Sequence, residues 1–152
     1  MSALKDRLRE DLTAAMKARD ETRTRTLRMA LTSVTNEEVA GQASRDLSDD
    51  EVRRILTREV RRRREAAEAF SAAGRTDQAA EERAEEAVLS EYLPAQLTDD
   101  ELGALVAAAI TETGAAGMPA MGQVMKAVTP RVAGRAEGRR VAAEVRRQLA
   151  GA

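Results

Sequence analysis

The chain has no cysteine and no histidine among its 152 residues. It therefore has no disulfide, no thiolate nucleophile, no imidazole base and no zinc site built from these side chains. Aromatic residues are almost missing as well, with one Phe, one Tyr and no Trp. Because aromatic side chains favour strands, their scarcity argues against an extensive β-sheet core.

Long apolar runs are also missing. No stretch approaches the roughly 18 uninterrupted apolar residues of a membrane-spanning helix. The N-terminal segment MSALKDRLRED is charged and lacks the apolar region of a secretory signal, and its acids fit a transit peptide poorly. We therefore expect a cytoplasmic protein with no membrane partner.

Helix-forming residues dominate what is present. Alanine, leucine, arginine and glutamate are strong helix formers and are abundant throughout the chain. The 25 basic residues nearly cancel the 26 acidic ones, so the net charge of −1 gives no reason to expect disorder. The composition predicts an all-α protein.

Helix start and stop signals divide the first part of the chain into four helices. Capping residues precede three of them, at Ser2, Asp20 and Ser48, and the fourth is expected to begin at Thr76. Apolar residues at helical spacing predict the buried faces. For the first helix these are Leu4, Leu8, Leu12 and Met16, and for the fourth they are Ala80, Ala84, Val88 and Tyr92.

The composition changes near Pro94. The charge-rich helices end before this proline, and three shorter helices are predicted after it. The first begins at Thr98, the second is expected to stop at Pro130, and the third begins near Gly138. We predict an N-terminal helical domain of about four helices over residues 1–92 and a small three-helix domain over residues 93–152.

Few residues are suited to catalysis. Asp99, Asp100 and Glu101 are consecutive, so on the first turn of a helix they point in different directions and complement its dipole. No glycine-rich segment leads into Lys-Ser or Lys-Thr, so a nucleotide-hydrolysing loop has no support. We predict no catalytic residue, no metal ligand and no small-molecule cofactor.

The predicted third helix is rich in arginine. Residues 61–64 are four consecutive arginines. Since four consecutive positions sweep the whole circumference of a helix, at least one guanidinium is expected to reach away from the packed face into water. A solvated helix balanced by neighbouring glutamates is the favoured interpretation. The candidate secondary basic surface consists of Arg54, Arg58, Arg61 and Arg62.

A second basic segment lies near the C-terminus, where residues 119–152 hold seven bases and two acids. Arg139 and Arg140 fall in the first turn of the predicted last helix, where cations oppose the helix dipole. Backbone N–H groups and arginines at a helix start suit a phosphate. Pairing with Glu137 or Glu144, together with plain solvation, is an alternative of equal weight. The candidate phosphate-binding residues are Lys126, Arg131, Arg135, Arg139 and Arg140.

Five segments follow one another along the chain: LREDLTAAMKARD (8–20), TLRMALTSVTNEEV (26–39), RRRREAAEAFSAAGR (61–75), YLPAQLTDDEL (92–102) and MGQVMKAVTPRVAGRAEG (121–138). In this order they resemble the YqeY family of small bacterial proteins. The family often has Asp where this chain has Ala120, and its usual GRADG is GRAEG here, with Glu137 in place of Asp. We expect both changes to weaken helix capping.

The C-terminal half of that family is similar to the tail domain of GatB, the tRNA-binding subunit of glutamine-dependent aminoacyl-tRNA amidotransferase. The resemblance implies a translation-associated accessory that binds tRNA or another folded RNA through its tail. A helical protein–protein adaptor is the first alternative. The second is an amidotransferase component, a carbon–nitrogen ligase with glutamine as amide donor, by homology alone. The quoted residues supply neither activation of the aminoacyl group nor release of ammonia, so we expect no catalysis by the chain alone.

Overall fold

The computed structural model describes residues 2–151, and the all-α prediction is confirmed. These residues form seven α-helices and one short 3₁₀ helix, without a strand. The helices are α1 (Ala3–Ala18), α2 (Glu21–Glu38), α3 (Asp49–Ala72), α4 (Thr76–Ser90), α5 (Asp99–Thr113), α6 (Met121–Val132) and α7 (Gly138–Ala150), with the 3₁₀ helix at Met118–Ala120. The chain separates into two compact units, one up to Leu93 and one from Pro94.

Side-chain caps determine where four of the helices begin. Each predicted cap accepts a hydrogen bond from the backbone N–H three residues later, which satisfies one of the unpaired donors of a first turn. The caps are Ser2 for α1, Asp20 for α2, Ser48 for α3 and Thr98 for α5. Local sequence signals therefore located these helix starts correctly.

The first unit packs α1 to α4 around one apolar core. The core is made mainly of leucine and valine side chains from all four helices and the segments that flank them. Its buried members are Leu4, Leu8, Leu27, Ala30, Val34, Leu47, Val52, Ile55, Leu56, Val60, Leu89 and Tyr92. Burial of these side chains supplies the main favourable term for folding of the unit.

Two of the predicted apolar faces are wrong in part. Met16 is 49% exposed, and Ala15 is buried instead. A strict spacing of four residues drifts by about 40° per turn relative to a 3.6-residue helix, so the face moves off the core after three turns. In α4, Ala80 and Ala84 are exposed, whereas Ala79 and Leu89 are buried. The small side chains of alanine made the direction of this face ambiguous.

The two aromatic residues have different surroundings. Tyr92 follows the end of α4 and is buried in the core of the first unit, as predicted. Phe70, which was also expected in the core, is only partly buried and is not a core member. It lies in the last turn of α3, beyond the last buried residue of that helix, Ala67.

The second unit packs α5, α6 and α7 around a smaller core. Its buried members are Leu97, Leu102, Val106, Ala109, Val124, Val128, Val132, Val141, Val145 and Leu149. The expectation that α6 stops at Pro130 is wrong. The helix continues to Val132, and the chain then leaves it through Ala133 at φ 50° and Gly134 at φ 77°. Ala120 and Glu137 occupy the cap positions of α6 and α7 without a side-chain capping bond, as expected from the two substitutions.

Over the described residues, no individual helix has both the length and the apolar composition needed to cross a membrane. One pair of helical segments, Asp99–Thr113 and Met118–Val132, meets these criteria only when taken together across a bend of 96°.

Candidate functional site

The candidate phosphate-binding residues of the second unit lie on α6, α7 and the turn that joins them. Arg139 and Arg140 occupy the first turn of α7, as predicted, and Arg131 lies in the last turn of α6. Lys126 is exposed near the middle of α6, and Arg135 is half-buried in the turn. The predicted position of Arg139 and Arg140 at the positive end of the last helix is thus correct.

Three of these five cations are held by partners from α5 and the segment before it. Arg140 contacts the Asp99 carboxylate at 2.9 Å, and Arg131 contacts the Glu112 carboxylate. Arg135 donates through Nε to the Ala95 carbonyl at 2.9 Å. It also lies 3.8 Å from Glu101.

Of the two acids considered as alternative partners of Arg139 and Arg140, Glu144 is paired elsewhere. The Glu144 carboxylate contacts Arg147, three residues further along α7, at 2.6 Å. Hydrogen bonds from Arg147 and then Gln148 lower the pKa of Glu144 to about 2. The acids that meet Arg135 and Arg140 lie instead at the start of α5, which packs against α7. Sequence spacing alone does not reveal this contact between helices.

Lys126 and Arg139 differ from the other three cations. Both are exposed, and neither forms an ion pair or a side-chain hydrogen bond with any residue in the range 2–151. The guanidinium of Arg139 lies near the positive end of the α7 dipole, which is unfavourable for a cation. No carboxylate within residues 2–151 forms an ion pair with it. An anion at this position would improve the local electrostatics.

A groove of about 700 Å³ runs between α5 and α7, and sequence reasoning missed it. Gly103 faces α7 in this groove, and a Cβ there would lie 3.3 Å from Glu144 Oε1. Gln148 Nε2 donates to the Gly103 carbonyl at 2.8 Å. Small residues line its apolar part, and the Arg140–Asp99 and Arg147–Glu144 pairs lie at its edge. The three small residues Gly103, Ala104 and Ala107, close together in the sequence, were the signal that could have indicated this groove.

In the first unit, the four consecutive arginines of α3 have three different environments. Arg63 is 4% exposed and lies on the packed face, where it contacts Glu59 at 2.7 Å and Glu85 of α4 at 3.2 Å. The expectation that the inward-facing guanidinium would reach out to water is therefore wrong, because two nearly buried carboxylates neutralise it in place. Glu85 also contacts Arg25 of α2 at 3.1 Å.

The remaining arginines of this segment face outward to different degrees. Arg64 is partly buried and contacts Glu86 of α4 at 2.7 Å. Arg62 is exposed and lies 3.4 Å from Glu59. Many of the charges of α3 and α4 thus neutralise each other within the unit, which reduces the surface available to an adaptor partner at these two helices.

No group of three or more acidic side chains within residues 2–151 is arranged to hold a metal ion. A comparison with models of protein families matches residues 5–149 to the model described as YqeY, Yqey-like protein. No curated protein matches the chain.

Proposed function

The chain belongs to the Yqey-like protein family, and from that premise we propose that it is a non-catalytic accessory of translation. In this proposal the second unit binds a folded RNA, with tRNA as the first candidate. One reason is the expectation that the C-terminal half of this family is similar to the tail of the tRNA-binding subunit GatB. The other reason is that residues 119–152 contain seven basic and only two acidic residues.

The observation that carries the proposal is Arg139 in the first turn of α7, which forms no ion pair with any of residues 2–151. A cation at this end of a helix is unfavourable by about 0.3–1 kcal/mol at an exposed site. A phosphate placed there would contact the guanidinium and the free N–H groups of the first turn together. Arg140 lies beside it, and its bond to the exposed Asp99 is a surface ion pair that contributes little to stability.

The scarcity of aromatics determines the mode of binding that we propose. Readers of single-stranded RNA stack bases on exposed Phe, Tyr or Trp. Here Tyr92 is buried and Phe70 is the only other aromatic residue. Binding would therefore depend on phosphates and on the shape of a folded RNA, with a strong salt dependence.

The experiment is a tRNA shift assay at several salt concentrations with the full chain and its Arg139→Gln/Arg140→Gln variant. We expect weaker binding by the variant and a log–log salt slope that is flatter by about one unit for each phosphate that the variant no longer binds. The fold should be unchanged or slightly more stable, because two cations leave the unfavourable end of α7.

The matched control is Arg146→Gln/Arg147→Gln. Each pair contains one arginine that forms no ion pair with the described part of the chain and one bound to a carboxylate, Arg140 to Asp99 and Arg147 to Glu144. The charge change is identical, but Arg146 and Arg147 lie near the end of α7 where cations are favourable. Equal reductions in affinity for both variants would indicate diffuse attraction. A parent protein without affinity for tRNA at low salt would contradict the proposal and leave the protein adaptor as the alternative.

A further inference from the structure

Three arginines of α3 remain in water although acidic residues surround them. Arg54, Arg58 and Arg61 are exposed, and none forms an ion pair or a side-chain hydrogen bond with another residue of the described chain. Their spacing of four and three residues puts them on one face of the helix, over about 10 Å. We name these three residues the α3 stripe.

The acids nearest to the α3 stripe along the helix have other partners or an unfavourable orientation. Asp50, four residues before Arg54, contacts Arg53 at 2.7 Å. Glu59, next to Arg58, points into the unit, where it contacts Arg63. Glu65 follows Arg61 by four residues, and this order of base before acid is the weaker one on a helix. The α3 stripe is thus a local concentration of three uncompensated charges.

The surroundings of the stripe discriminate between two kinds of partner. A protein interface derives most of its affinity from buried aromatic or aliphatic anchors. The same face of α3 continues into Glu65 and Glu68, which are exposed acids, and it has no apolar side chain beside the arginines. Exposed ion pairs alone contribute only about 0–1 kcal/mol each, so an acidic peptide would bind the stripe weakly.

A nucleic-acid backbone binds such a stripe more strongly. Cations that neutralise its phosphates release condensed counterions, and this gain requires no apolar anchor. Guanidinium groups also match phosphate oxygens with two parallel hydrogen bonds, which a lysine does not provide. The three cations of the stripe are arginines, with no lysine among them.

We propose that Arg54, Arg58 and Arg61 form a further RNA contact, on the first unit, that binds up to three phosphates without reading sequence. This inference rests on the proposed function of the chain, since it assumes that a folded RNA is the ligand. Glu65 and Glu68 limit the contact at its C-terminal end, because they would repel the next phosphates along the face. The buried Arg63 and the partly buried Arg64 have no part in it.

The test compares the full chain with its Arg54→Gln/Arg58→Gln/Arg61→Gln variant in binding to tRNA across a salt series. For each phosphate that the variant no longer binds, we expect roughly a tenfold weaker affinity near 0.05 M salt and a slope flatter by about one unit. Thermal unfolding should be nearly unchanged, because exposed substitutions of this kind have small effects on stability.

The control variant is Arg9→Gln/Arg28→Gln/Arg83→Gln. These arginines are exposed, lie on α1, α2 and α4 of the same unit, and lack an ion pair within residues 2–151. The change in net charge is the same, but it is distributed over three helices. A reduction in the affinity of the stripe variant that clearly exceeds the reduction in this control supports the proposal.

Other outcomes contradict the RNA contact at the α3 stripe, and they distinguish its failure from the failure of the proposed function. If the parent binds tRNA and the stripe variant behaves like the control, the stripe contact is wrong while RNA binding by the chain stands. If the parent does not bind tRNA at low salt, both fail. An acidic helical peptide serves as a second probe. Loss of peptide binding by the stripe variant, with RNA binding intact, would make the stripe a protein-docking surface and overturn the RNA contact.

Discussion

At the scale of single residues, Tyr92 connects three separate parts of the first unit. Its hydroxyl donates to the Asp11 carboxylate of α1 and accepts from Arg23 of α2 at 3.4 Å. The Arg7 guanidinium lies 4.7 Å from the centre of its ring, a distance at which a cation is attracted to an aromatic face. Arg23 also contacts Glu91, the neighbour of Tyr92, at 2.8 Å. The segment after α4 is thereby attached to α1 and α2.

Burial, followed by the hydrogen bond to Asp11, raises the pKa of Tyr92 from 10.0 to about 12. Because it is the single tyrosine of the chain, its ionisation can be followed by ultraviolet absorbance without overlap. We expect a midpoint near 12 in the folded protein and near 10 after denaturation. Since the folded pKa is the higher one, the associated stability is complete below pH 10 and is lost as the pH rises through 12.

Asp11→Asn is the matching variant for this titration. It removes the carboxylate charge that opposes the phenolate but leaves the ring buried, so the midpoint should fall only part of the way toward 10. A midpoint near 10 in the folded parent would contradict the buried position of Tyr92.

At the scale of elements, α2, α3 and α4 share an ionic network that is buried at Glu59, Arg63 and Glu85 and exposed at Arg25. Arg63 and Glu59 of α3, Glu85 of α4 and Arg25 of α2 are linked by contacts of 2.7–3.2 Å. Ser33 of α2 donates to Glu59 at 3.2 Å. No side-chain nitrogen or oxygen is buried without a hydrogen-bond partner among the described residues. The network therefore connects particular positions of α2, α3 and α4 and favours one alignment of these helices along each other.

Arg63→Met tests the network, because it keeps an unbranched apolar chain in place of the aliphatic part of the arginine and removes the charge. Glu59 and Glu85 then lose their shared buried partner, and we expect a decrease of about 3 kcal/mol in the free energy of unfolding, measured by urea denaturation. Arg61→Met is the control on the same helix, and it should change stability by no more than about 0.5 kcal/mol.

Adding Glu85→Gln to Arg63→Met should recover part of this decrease, since it removes one of the two carboxylates that lose Arg63 as their buried partner. Arg63→Met with the same stability as the parent would show that the network contributes nothing to the fold. No recovery in the double variant would exclude the carboxylate of Glu85 as the cause of the destabilisation.

At the scale of the whole molecule, we predict that residues 93–152 fold without the rest of the chain. The cores of the two units are made of separate sets of residues, and that of the second unit contains side chains from α5, α6 and α7. A unit of this size buries only about 60% of its unfolded surface, so its stability should be small. Cooperative thermal melting of the isolated fragment, followed by circular dichroism, is the expected result.

Val145→Asp should abolish this folding, because Val145 is fully buried and a lone buried carboxylate costs several kcal/mol, roughly. Ala108→Asp provides the comparison at an exposed position of α5, where the fragment should still melt cooperatively. A parent fragment that melts without a cooperative transition would show that the second unit requires the first.

The sequence by itself determined the features that depend on neighbours along the chain. The all-α class, the caps at Ser2, Asp20, Ser48 and Thr98, and the inward valines of α7 all follow from interactions over three or four residues. The positions of Arg139 and Arg140 in a first turn were predictable for the same reason. Such signals act within one helix, so they can be recognised in a short stretch of sequence.

Only the tertiary structure decided which charges are compensated. Arg63 and Arg61 are two residues apart in a run of identical side chains, yet one is buried between two carboxylates and the other is exposed. Arg140 is paired with Asp99, whereas its neighbour Arg139 forms no ion pair among the residues that the structure describes. These differences arise from contacts between residues 22 and 41 positions apart. Helix packing creates such contacts, and no local pattern encodes the geometry of that packing.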